Sequence, residues 1–283
     1  MSCRTKLKQL AAFLSFYIIT IDSSHDHVPM CDCALNQFRY FLNKQGRYLL
    51  STCKTLHFSA YSMSAFEQWK CKQYPILGGA VSPFLSVLDE DFICRANISG
   101  CPTNCVCYRS ATGKTILIDC SNKKLTSFPS IKQIDLGNSS LIISLNNNSI
   151  ATMPDCFLPG YEWIRNVSVL RLENNAITTP SDNTLQYFLC NCLKADIHLF
   201  LKGNSISLLP YALRTVPFAY LSLDRNSLKC CGKSWLKSWI LEHVDRIDGA
   251  KEISCEDMPG NSPFLPHYTD GQCLADTTNI KTL

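Results

Sequence analysis

The segment LRLENNAI, residues 170–177, repeats its pattern three more times along the chain. The copies are ISLNNNSI (143–150), LFLKGNSI (199–206) and LSLDRNSL (221–228). Each copy reads apolar-x-Leu-x-x-Asn-x-Ile/Leu, and the four asparagines (Asn148, Asn175, Asn204 and Asn226) are separated by 27, 29 and 22 residues. Self-similarity at such a period is typical of a protein built from stacked structural units.

The physical chemistry of the pattern predicts the shape of each unit. In a short Leu-x-Leu strand the two leucines point to one face, which becomes the core, and the residues between them point outward. Each strand then pairs in parallel with the strand of the next unit. The asparagine amide carries donors and an acceptor, and it can bond backbone groups of the adjacent coil. We therefore expect an α/β repeat fold, a short leucine-rich-repeat solenoid with the parallel sheet on its concave face.

The stack extends upstream in a weaker form. In ILIDCSNKKLTSFP (116–129), Ile118 and Cys120 occupy the strand positions and Lys123 occupies the asparagine position. We expect about four repeats over residues 130–228, and residues 101–129 lead directly into the first coil.

Composition limits the class of protein. Of 283 residues, 46% are hydrophobic and 18% are charged, which is ordinary for a folded chain. The net charge of +4 comes without a basic stripe, so nucleic acid is not an expected partner. The 17 cysteines indicate an oxidising compartment, outside the cell or at its surface. Four glycosylation sequons agree with that location: Asn97, Asn138, Asn147 and Asn166.

The cysteine clusters predict covers for the ends of the stack, because the ends of a solenoid expose its core. We expect a C-terminal cap over residues 229–273 that contains Cys230, Cys231, Cys255 and Cys273, with a core-facing helix around Trp235–His243. Residues 31–94 have the same layout and read as another C-terminal cap. Residues 101–129 read as an N-terminal cap, and residues 274–283 as a tail. Residues 1–30 are either a signal-like segment or a degenerate last repeat.

No catalytic, metal or cofactor chemistry is expected. The stretch CPTNCVCYRSATGKTILIDC (101–120) lacks the paired cysteine spacing of a zinc site, and its region has no histidine. A phosphate-binding loop ending at Gly113 needs glycine at the position of Tyr108. None of the six histidines lies in a recognisable triad context. We predict a protein that is not an enzyme.

The order of the caps resembles a known family, the multi-cysteine Toll receptors. The segments that carry the resemblance are CDC at 31–33, CKQYPILGG from Cys71, and the 101–129 cap. It implies the membrane-proximal part of an ectodomain, with the disulfides Cys31–Cys71, Cys33–Cys94, Cys101–Cys107 and Cys105–Cys120, and with Cys230 or Cys231 bonded to Cys255 and Cys273. The family's earlier repeats, transmembrane helix and cytoplasmic signalling domain are absent from this sequence.

Several cysteines depart from the family pattern. Cys230 and Cys231 are adjacent where the family has C-x-C. Five others have no place in it: Cys3, Cys53, Cys156, Cys190 and Cys192. Cys156 and Cys190 lie in consecutive coils, and we take them as the candidate pair.

The outward strand positions supply candidate contact residues. One row, two residues before each asparagine, contains Asn146, Glu173, Lys202 and Asp224. Parallel strands lie about 4.8 Å apart, so the last three can form a lateral ladder of alternating charge. Arg171 and Phe200 lie in the neighbouring row and are the preferred contacts for a ligand. Glycans at Asn138, Asn147 and Asn166 would shield the early repeats from a large ligand.

The leading interpretation is a non-enzymatic extracellular recognition module of a Toll-like innate immune or developmental receptor. The resemblance implies a protein ligand of the cystine-knot cytokine type, or a microbial product, and pairing into a receptor homodimer. Membrane attachment would come only from a transmembrane helix that this sequence lacks. The alternatives are a secreted or surface leucine-rich-repeat adhesion or matrix protein, a soluble decoy, and a gene fragment without an independent fold.

Overall fold

The computed structural model describes residues 92–257 except 97, 132–133, 135 and 180–181, together with residues 36, 40, 70–72 and 81–83. The expected cap at 31–94 and the segments 1–30 and 258–283 therefore lie mostly or wholly outside the described residues. The chain divides into two compact units, residues 1–96 with 108–116 and residues 97–107 with 117–283.

Two antiparallel strand pairs lie in the described residues of the first unit. Strand β1 (Lys70–Lys72) pairs with β2 (Val81–Pro83), and β3 (Ile93–Arg95) pairs with β4 (Val106–Ser110). After β4 the chain turns at Gly113, whose positive φ of 73° favours glycine, and the Gly113 N–H donates to the Ser110 carbonyl. Gly113-Lys114-Thr115 is thus a turn that leads into β5 (Thr115–Asp119).

The second unit contains a parallel sheet built from the repeats. Its strand order is β10-β9-β8-β7-β6, and all neighbours run parallel. The strands are β6 (Ser140–Ser144), β7 (Val167–Arg171), β8 (Ile197–Phe200), β9 (Phe218–Ser222) and β10 (Ile247–Asp248). The two inward positions of every repeat, from Ile143 and Leu145 to Leu221 and Leu223, are at most 1% exposed. The predicted repeat fold is confirmed.

Short helices complete the coils. A 3-10 helix (Glu162–Asn166) precedes β7, helix α1 (Asp182–Asn191) precedes β8, and a second 3-10 helix (Tyr211–Thr215) precedes β9. Helix α2 (Ser234–Glu242) and a third 3-10 helix (Ala250–Glu252) follow the last repeat. In the described ranges, neither α1 nor α2 has the length or the apolar run that crossing a bilayer needs.

The repeat asparagines join consecutive coils through their side chains. Asn204 Nδ2 donates to the carbonyl of Leu201 in its own coil and to that of Leu172 in the preceding coil, at 2.9 Å each. Its Oδ1 accepts from the N–H of Ile177 at 3.0 Å. Asn148, Asn175 and Asn226 make the equivalent bonds. Lys123, which occupies the asparagine position of the first coil, donates its backbone N–H to Asn148 Oδ1.

Four disulfides are present in the described part of the chain. Cys101–Cys107 and Cys105–Cys120 are the pairs that the family resemblance implies, and Cys230–Cys255 is one of the alternatives at the second cap. Cys94 and Cys231 are also disulfide-bonded. The expected bonds of Cys31, Cys33, Cys71 and Cys273 concern side chains outside the described ones.

The expected pair Cys156–Cys190 is wrong, because Cys156 is bonded to Cys192. Cys190 is exposed, and it is the one free cysteine of the described residues. Two positions along a helix differ by about 200° in direction, so Cys190 and Cys192 face opposite sides at the end of α1. Cys192 is buried and faces the core, where Cys156 is also buried.

The second cap closes the end of the repeat stack. Leu236, Trp239 and Ile240 of α2 are buried, whereas Trp235 and His243 are half-buried. Strand β10 adds to β9, with Asp248 opposite Ser222. The core-facing helix expected from the spacing is present, and His243 lies just beyond its end.

Candidate recognition surface

The outward positions of three repeat strands form a continuous surface, which we call the concave patch: Arg171, His198, Phe200 and Tyr220. The strand register sets Arg171 beside Phe200 and His198 beside Tyr220. Their side chains point away from the core because they alternate with the buried leucines. His198 is exposed and the other three are half-buried.

The side chains of the concave patch contact one another across the strands. The guanidinium carbon of Arg171 lies 4.1 Å from the centre of the Phe200 ring, within the range of a cation–π interaction. The Phe200 and Tyr220 rings are 5.0 Å apart, and the His198 ring stacks on Tyr220 at 6.0 Å. Neighbouring side chains thus hold the aromatic rings in place before any partner arrives.

The predicted charge ladder is only half present. Lys202 Nζ lies 2.5 Å from Asp224 Oδ2 and forms an ion pair with it. Glu173 instead forms its ion pair with Arg171 in its own strand segment, at 3.1 Å. Arg171 is two residues away on the same outward face, so it reaches the carboxylate without crossing a strand.

Asp224 does not fit the expected role of an exposed contact, because it is only 1% exposed. The cap covers it at Gly249, where a Cβ atom would lie 3.0 Å from Cβ of Asp224. Gly249 also has a positive φ of 63°, so glycine is favoured there for two reasons. The neighbouring outward residue Ser222 is equally buried.

Apart from Asp224 Oδ2, which is ion-paired with Lys202, three buried oxygen atoms of this surface have no hydrogen-bond partner within the described residues. They are Glu173 Oε2, Ser222 Oγ and Asp224 Oδ1. Burial raises the pKa of the Glu173 carboxyl, and the nearby backbone N–H and Arg171 act in the opposite direction. Because these atoms are buried, they do not provide contacts for a partner.

Tyr220 is a titratable group of the concave patch whose pKa is raised. Burial, then a hydrogen bond to Asp248 and the charge of that carboxylate, raise the pKa of Tyr220 to about 12. A raised folded-state pKa favours the neutral phenol, so the contribution of Tyr220 to stability is complete below about pH 10 and is lost between about pH 10 and 12.

We expect Asp248→Asn to lower the pKa of Tyr220 towards its usual value of about 10, because the substitution removes the carboxylate. The measurement is an ultraviolet titration of the folded chain, with the curve of Tyr220→Phe subtracted to isolate Tyr220. An unchanged difference curve in Asp248→Asn would contradict the assigned contact.

The sequence patterns missed His198 and Tyr220. His198 belongs to β8, which begins at Ile197. Both residues lie six positions before a repeat asparagine, so reading one more outward row would have found them.

The remaining predicted site residues take the following places. The sequon asparagines Asn138, Asn147 and Asn166 are exposed, and Asn97 lies outside the described residues. Asn147 Oδ1 accepts from Asn174 Nδ2 at 3.0 Å. Asn146 Oδ1 accepts a hydrogen bond from the Glu173 N–H at 2.9 Å, so this oxygen already has a partner within the sheet. Glycosylation stays a prediction.

Within the described residues there is no cluster of histidine, cysteine or carboxylate side chains that could hold a metal ion.

These features define the class: a leucine-rich-repeat solenoid with disulfide-bonded caps. No protein-family model matches the chain. It is 23% identical over 262 residues to Protein toll of Drosophila melanogaster, a match that covers 89% of this chain and 22% of that protein. The predicted resemblance to Toll receptors is confirmed. The chain spans about a fifth of the length of this relative.

A solved structure shares this fold. The glycosylated form of the Drosophila Toll–Spatzle complex matches with a TM-score of 0.52 at 22% identity, over 80% of this chain and 28% of the matched chain. The mouse RP105/MD-1 complex has a TM-score of 0.39 at 19% identity, over 49% of this chain and 23% of the matched chain.

Proposed function

We propose that the chain is a non-enzymatic extracellular recognition module, a membrane-proximal part of a Toll-like receptor ectodomain, and that it binds a protein through the concave patch. The observation that carries this proposal is the stack of Arg171 on Phe200 on Tyr220, partly open to solvent on a parallel sheet. Arginine and aromatic side chains supply most of the binding energy at protein interfaces.

The rigidity of the patch supports the same role. Each strand is held in position by the hydrogen bonds of the buried asparagines and by the leucine core behind it. Side chains that are already ordered lose little conformational entropy when a partner binds.

The comparisons support the choice of a protein as the partner. The Toll structure that this chain resembles is a complex with Spatzle. We propose a protein ligand of the cystine-knot cytokine type as the partner of the patch. A microbial product and a second copy of the receptor are the other candidates, and a decoy, adhesion or matrix role is the alternative function.

Phe200→Ala is expected to weaken ligand binding at least about tenfold, or about 1.4 kcal/mol, because it removes the centre of the stack. The measurement is surface plasmon resonance of the secreted chain, with Spatzle as the first analyte. Phe157→Ala is the matched control, because Phe157 is an exposed phenylalanine outside the sheet. The centre of its ring lies 5.2 Å from the guanidinium carbon of Arg165.

Two results would contradict the proposal: Spatzle and related cystine-knot proteins fail to bind the folded chain, or Phe157→Ala weakens binding as much as Phe200→Ala. A transcript that continues beyond residue 283 into a transmembrane helix and a cytoplasmic signalling domain would favour the receptor over the adhesion protein.

A further inference from the structure

A cavity of about 190 Å³ lies between the last coil and the residues that follow α2. Its apolar wall contains Phe218 and Leu221 of β9, Trp239 of α2 and Ile247 of β10, all of them buried. An apolar protein cavity of about 150 Å³ is large enough to bind benzene. The space is therefore sufficient for one aromatic ring with a small substituent.

The lining also contains three basic residues. Arg214, His243 and Arg246 line the cavity, and none of its ten lining residues is acidic. His243 is held in place by the contact between its Nδ1 and the Trp239 carbonyl at 2.8 Å. The Arg214 guanidinium lies over the Tyr211 ring.

Neither arginine forms an ion pair with a carboxylate of the described residues. The ion pairs found among the described residues are Arg171–Glu173 and Lys202–Asp224, and neither involves Arg214 or Arg246. Two guanidinium groups beside an apolar cavity attract an anion, and they bind a carboxylate best because both oxygens can accept hydrogen bonds.

We propose that this cavity binds a small aromatic carboxylate. The ring would lie against Trp239 and Phe218, and the carboxylate would face Arg214 and Arg246. Arg214 belongs to the last coil and Arg246 to the cap, so a bound molecule would join the two and stabilise the closed end of the stack. The site is separate from the concave patch and does not depend on the function proposed for it.

The test uses phenylacetate as the probe and phenylacetamide as its neutral counterpart, with the secreted full chain. A ligand of this size is expected to bind with a dissociation constant of about 1 mM. Phenylacetate should shift the indole NMR signal of Trp239, assigned with Trp239→Phe, and raise the melting temperature. Phenylacetamide should bind at least about tenfold more weakly, because it lacks the charge.

Substitutions locate the binding. Arg214→Gln and Arg246→Gln should each weaken phenylacetate binding about tenfold, whereas Arg165→Gln, at an exposed arginine outside the cavity, should have no effect. Unchanged indole signals of the other tryptophans show that each variant is folded. The proposal is overturned if phenylacetate leaves Trp239 unshifted, if phenylacetamide binds equally well, or if Arg165→Gln weakens binding as much as Arg246→Gln.

Discussion

Replacing Cys156 and Cys192 together by alanine is expected to lower the free energy of unfolding by about 4 kcal/mol. Their bond closes a sequence separation of 36 residues, and without it the unfolded chain regains the entropy that a loop of this length loses. The loss is measured by denaturant unfolding of the secreted chain, followed by far-ultraviolet circular dichroism.

Cys190→Ala is the matched control for this disulfide. Cys190 is free and exposed, so its substitution should change the free energy of unfolding by no more than about 0.5 kcal/mol. Cys190 and Cys192 are separated by one residue and fall in the same peptide. Fragmentation by tandem mass spectrometry is therefore needed to show which of them is bonded to Cys156. A bond from Cys156 to Cys190, or an equal loss of stability in Cys190→Ala, would show that the assigned pairing is incorrect.

Asn204→Ala is expected to destabilise the fold by about 3 kcal/mol. The substitution leaves the buried N–H of Ile177 without its acceptor and removes one donor each from the carbonyls of Leu172 and Leu201. A buried donor without a partner costs about 1–3 kcal/mol, and the two further lost bonds add to it. Equilibrium unfolding in urea measures the difference.

Asn148→Ala provides the comparison with a second repeat asparagine. Asn148 makes the equivalent bonds but is half-buried, so water can replace part of what the substitution removes. We expect a loss of about 1 kcal/mol. Equal losses at Asn148 and Asn204 would mean that the burial of a repeat asparagine does not determine how much it contributes to the free energy of unfolding.

The repeat fold was predictable because each of its elements depends on local sequence. Leu-x-Leu alternation places Leu199 and Leu201 in the core whatever lies elsewhere in the chain. Asn204 follows them at a fixed offset, so its amide always reaches the neighbouring coil. The turn at Gly113 and the helix that buries Trp239 likewise follow from short-range patterns.

The details of the recognition surface were less predictable. The outward rows are readable from the sequence, and they located Arg171 and Phe200 correctly on one face. The choice of ion-pair partner was not readable, since Glu173 can reach either Lys202 in the next strand or Arg171 in its own. The structure has the second pair.

The sequence by itself determined the stacked repeats, their inward leucines and the asparagine bonds between coils, because these depend on residues a fixed distance apart along the chain. Only the tertiary structure decided which cysteine bonds Cys156, that Asp224 lies buried beneath Gly249, and that Arg214 and Arg246 flank one cavity. Those features depend on how consecutive coils and the cap pack together, and packing brings together residues whose separation in sequence follows no period.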